Sequence, residues 1–77
     1  MGIFDGVSQA DKKRLLAMEI SSLHIQLFTV LIKISIDPDT FDETLWAEPL
    51  NMETPTGRVR HYIDLITSMK VKLAELG

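Results

Sequence analysis

The chain has 77 residues, which allows one small domain. Its 45% hydrophobic and 25% charged content is that of a folded protein rather than a disordered one. The absence of cysteine excludes disulfides, thiolate nucleophiles and zinc–thiolate sites, and the net charge of −3 has the wrong sign for a non-specific nucleic-acid binder.

No unbroken run of eighteen apolar residues occurs, so a membrane-spanning helix is expected to be ruled out. Met1–Val7 contains no Lys or Arg and includes Asp5, unlike the basic start of a secretory signal. A cytoplasmic location with no membrane partner is the expectation. A domain this small buries only about 60% of its unfolded surface, so it is marginal alone. Without disulfides, self-association is the expected remedy.

The first helix opens at Ser8, with Asp11 three residues on as a near capping box. Leu16, Ile20, Leu23, Leu27, Val30 and Ile34 then step by 4, 3, 4, 3 and 4, a continuous apolar seam. Pro38 disfavours a helical Asp37, so the spacing predicts an end near Ile36. Ile25, Phe28, Leu31, Ile32 and Ile36 lie off this seam and make the second half of the helix apolar nearly all round. The same segment, residues 25–36, carries enough β-branched residues and alternation to allow a strand in a small α+β fold. Helix is preferred, because no other segment offers that strand a partner.

Residues 37–53 contain Asp37, Asp39, Asp42, Glu43, Glu48 and Glu53 and no basic residue. Thr40 and Glu43 form a second capping box, which predicts a short helix over Phe41–Ala47. Phe41, Leu45, Trp46 and Leu50 would then fold down as a lid. The second long helix starts at Thr54 with Pro55 in its first turn, and Gly57 weakens that turn slightly. Val59, Tyr62, Ile66, Met69, Leu73 and Leu76 give it a seam of its own, with Ile63 and Val71 to the side.

These elements predict an all-α fold over residues 1–77, an antiparallel helical hairpin with a short intervening helix. One helix covers only one side of another, so Ile25, Phe28, Leu31 and Ile32 should stay wet in a monomer. Pairing two hairpins through that strip would give a four-helix-bundle-like dimer.

Catalytic chemistry is thin. His24 borders the first seam and reads as a partly buried core histidine, while His61 with Asp64 at i+3 reads as a surface pair rather than a general base. Ser21, Ser22 and Ser68 lie in helical stretches without a nucleophile elbow. A calcium loop counted from Asp37 fails, because Asp42 stands where glycine is required and Pro38 stiffens the second position. No cofactor, metal or catalytic residue is therefore expected.

The expected activity is binding another macromolecule, foremost a protein, as a self-associating adaptor, assembly factor or regulator. Phe41 and Trp46 are weaker candidates for docking that partner. The competing reading is a dimeric nucleic-acid-binding regulator that uses Lys12, Lys13, Arg14, Arg58 and Arg60.

Overall fold

The computed structural model describes residues 2–77 and contains two long antiparallel helices, α1 (Gln9–Lys33) and α2 (Pro55–Glu75). Between them, a single 3-10 turn spans Glu43–Leu45. No strand occurs among the described residues, so the α+β alternative is overturned: residues 25–33 are helical. The hairpin is rod-like, 44 × 25 × 19 Å, with a radius of gyration of 14.6 Å. A compact domain of this length would have about 11.5 Å.

Both helix starts follow the sequence. The Ser8 hydroxyl accepts from the Asp11 amide at 3.1 Å, and the Thr54 hydroxyl accepts from the Gly57 amide at 3.1 Å, with Pro55 in the first turn where its missing N–H is harmless. The box at Ser8 is only half made, since the Asp11 carboxylate turns to Arg14 at 3.2 Å.

The end of α1 differs from the expectation. The helix stops at Lys33, and Ser35 sits in the left-handed region with φ 62°. The Ile36 amide reaches back to the Leu31 carbonyl at 2.9 Å and the Ser35 amide to Ile32 at 3.1 Å. This is a Schellman closure with serine in the position usually given to glycine. Ile36 packs on the cluster that contains Leu31, supplying the apolar contact that accompanies such a closure. Local backbone capture, rather than Pro38, ends the helix.

The connection also departs from its capping rule. Asp42, not Thr40, caps the short turn, because its carboxylate accepts from both the Thr44 amide (2.9 Å) and the Thr44 hydroxyl (2.6 Å). The Thr44 hydroxyl, then its amide, hold the Asp42 carboxyl below its usual pKa. Thr40 instead donates to the Asp37 carbonyl at 3.3 Å. Two residues of the expected lid, Phe41 and Trp46, pack onto the core, whereas Leu45 and Leu50 are exposed. A three-residue turn is too short to present four apolar side chains on one side.

The core is centred on Val30, Leu31, Val59 and Ile63, with Ile20, Leu23 and Ile66 buried nearer the other end. Leu31 is only 2% exposed, which corrects its place in the expected wet strip. Ile63, expected beside the second seam, is buried too, while Met69, Leu73 and Leu76 are half-covered. Both shifts have one cause. The Phe41–Trp46 strap covers a flank of the hairpin that the two seams alone leave open.

Gly57 is buried where the connection returns to α2. A Cβ there would lie 2.6 Å from the Asn51 amide nitrogen and closer still to its carbonyl oxygen. Gly→Ala within a helix ordinarily gains up to about 1 kcal/mol. Gly57→Ala should instead cost about 1–3 kcal/mol, as overpacked sites do, read as a fall in the urea midpoint. A rise would show that the Asn51 backbone yields freely. Ser35→Gly should stabilise by about 1 kcal/mol in the same assay, because it removes the left-handed penalty; a loss would contradict the Schellman closure.

Candidate functional site

Three surfaces hold the residues singled out by sequence: the outer flank of α1, the strap between the helices, and the basic residues near the two helix starts. On α1, Ile25 (67% exposed), Phe28 (53%) and Ile32 (54%) face solvent, and Met18 (62%) extends the strip toward the N-terminus. Ile25, Phe28 and Ile32 thus lie together as expected, and Leu31 does not join them. Periodicity from Met18 could have found the fourth member, since Met18, Ile25 and Ile32 recur at intervals of seven. No Asp, Glu, Lys or Arg lies between Glu19 and Lys33.

The strap is fixed by α2. Arg60 donates through Nη2 to the Trp46 carbonyl and through Nε to the Glu48 carbonyl at 3.3 Å. Arg58 donates through Nη1 to the Met52 carbonyl at 3.2 Å. A loop with few amide partners leaves its carbonyls needing donors, and a guanidinium supplies several in a fixed fork. Phe41 and Trp46 meet edge to face, their centroids 5.7 Å apart. The Trp46 indole Nε1 is buried and lacks a hydrogen-bond partner. Phe41 and Trp46 therefore serve the core first, which weakens their case as an outward docking pair.

The basic candidates are scattered or engaged. Arg58 and Arg60 bind the strap's carbonyls, and Arg60 also lies 3.9 Å from Asp64. Lys13 donates to the Gly77 carbonyl, as Gln9 does to Leu76, which clasps the start of α1 to the end of α2. Arg14 is paired with Asp11. Antiparallel packing puts Lys12, Lys13 and Arg14 at the opposite end of the rod from Arg58 and Arg60. The five do not form one patch within a chain.

His24 is exposed rather than partly buried, because its seam neighbours Leu23 and Leu27 turn inward without it. His61 is half-buried with its ring 5.5 Å from that of Tyr62, and Asp64 pairs with Arg60 instead. Among the described residues, no group of three or more His, Asp or Glu side chains is placed to hold a metal ion. A groove of about 570 Å³ between the helices is lined by His24, Leu27, Phe41, Ile66, Lys70 and Val71 among others. It is open and apolar, with no nucleophile–base pair aimed into it.

The exclusion of a membrane span needs correction. Within α1, an eighteen-residue stretch is apolar enough to cross a membrane by length and composition, and only 22% of it is buried. The earlier criterion of an unbroken apolar run was too strict, because spanning helices tolerate isolated polar residues.

No protein-family model matches the chain, and neither a curated protein nor a solved structure matches it.

The orphaned indole makes a measurable prediction. Trp46→Ala should cost about 3 kcal/mol of folding stability through lost packing. Trp46→Phe should cost less than about 1 kcal/mol, because removing an unpaired buried donor offsets the smaller ring. Equal losses in urea titrations would mean that the indole nitrogen has a partner.

Proposed function

We propose that this chain is a non-enzymatic, self-associating interaction module, and that the outer flank of α1 is the surface through which two hairpins join into a four-helix assembly. The observation that carries this reading is the exposed strip Met18, Ile25, Phe28 and Ile32, the last three of which lie in a stretch of α1 without formal charge, residues 20–32. The surface area supports it. The chain exposes 5597 Å², about 900 Å² more than a compact monomer of its 8.7 kDa mass would. A standard interface buries about 800 Å² on each partner. The paired module would then act as an adaptor, assembly factor or regulator for another protein.

The nucleic-acid reading has less support, since Arg58 and Arg60 already hold strap carbonyls and Lys13 is tied to the Gly77 carbonyl. The lipid reading rests on the apolar length of α1, and the test separates it.

Light scattering in lipid-free buffer should give a mass at least twice 8.7 kDa. Phe28→Glu should weaken association at least about tenfold, because a buried, unpaired charge costs several kcal/mol. Leu45→Glu, on an exposed turn residue, should leave the mass unchanged. A monomer that sediments with phospholipid vesicles would overturn self-association in favour of a lipid surface. A monomer that ignores vesicles would overturn both.

A further inference from the structure

Arg14, Met18, Ser21, Ile25, Phe28 and Ile32 succeed one another by 4, 3, 4, 3 and 4 along α1. This is a second seam with heptad spacing, and all six members are exposed. The first seam packs on α2; the second has no covering element among the described residues. From these positions we infer that the occupant is a second copy running antiparallel, with Ile25 at the two-fold axis. This rests on the self-association just proposed and adds its polarity and register.

Three features select that arrangement. The apolar part of the seam, Met18 to Ile32, is centred on Ile25. An antiparallel copy pivoting there sets Met18 against Ile32 of the other chain and overlaps the whole strip. Side-chain size then complements along the seam, because Phe28 comes level with the small Ser21 and Ser22 of the other copy. A parallel pair would set Phe28 against Phe28 and Ser21 against Ser21, crowding one level and emptying another.

Charge is the third feature. Arg14 lies one turn before Met18, and the acidic turn bearing Asp37, Asp39 and Asp42 follows the other end of α1. Within one chain they are separated by the helix, about 1.5 Å for each of its residues, far beyond salt-screened reach. In the antiparallel pair, Arg14 of each copy, whose contact within its own chain is the exposed pair with Asp11, arrives beside the acidic turn of the other. In a parallel pair, like would face like at both ends. The partner this surface fits is therefore the same surface, reversed.

The lack of native cysteine permits a direct test. Met18→Cys and Ile32→Cys variants are mixed and oxidised, and the disulfides are identified by mass. Antiparallel pairing brings residues 18 and 32 within the Cα spacing a disulfide demands, about 4.4–6.8 Å, so the mixed species should dominate. Homodisulfides alone would overturn the polarity while leaving self-association intact. A dimeric mass without disulfides would show that another face is used. A monomeric mass would remove the premise itself. Arg14→Glu should weaken the dimer about two- to fivefold, the scale of an exposed ion pair, and adding Asp39→Lys should restore it. Failure to restore would overturn the register.

Discussion

A single helix can shelter only one side of a neighbour of similar length, and the rest of this structure follows from that limit. α2 covers the inner seam of α1 and leaves the opposite flank to solvent. No third long helix occurs among the described residues, and the sequence has no cysteine to form a covalent staple. The connection, residues 37–53, adds further cover, which reaches the Val30–Leu31 end of the core but not the outer flank. Apolar residues placed on that flank are consequently either wet or joined to something outside the chain.

The connection itself is a strap whose attachment is mostly polar. It contains no regular ladder, so its carbonyls need donors from elsewhere, and Arg58 and Arg60 supply them from the first turns of α2. The acidic side chains of the strap are not what these arginines bind. Two of them, Asp37 and Asp42, accept instead from amides two residues on, as the neutral Asn51 side chain does, at 2.9 Å in each case, folding the strap into successive tight turns. Two aromatic rings then press the strap down at Phe41 and Trp46, and Gly57 lets its backbone lie directly on α2.

The parts of the fold legible in the sequence are those fixed by local rules. The caps at Ser8 and Thr54 and the existence of two long helices follow from residues close together in the chain. What escaped reading depended on competition among neighbours. Thr40 and Asp42 both qualify as caps, and only the geometry shows that Asp42 captures Thr44. Serine is a poor candidate for a left-handed position, so the closure at Ser35 gave no warning. Leu31 was misplaced because a helical wheel shows two faces, whereas the strap adds a third covering surface. The outer strip was legible as Ile25, Phe28 and Ile32, but its full length was not, because Ser21 and Arg14 break its apolar character.

The clasp between the strap and α2 also divides the rod into unequal halves. Around Val30, Leu31, Val59 and Ile63, two helices and a strap meet, and guanidinium groups bind the strap's backbone. At the far end Gln9 and Lys13 tie the helix tips through hydrogen bonds to the last carbonyls of the chain. Amide protons should exchange slowly near the clasped half and quickly toward the tips, so opening proceeds like a zipper from one end. The molecule is therefore built as a hinge-like fork, firm at its bend and loose at its tines.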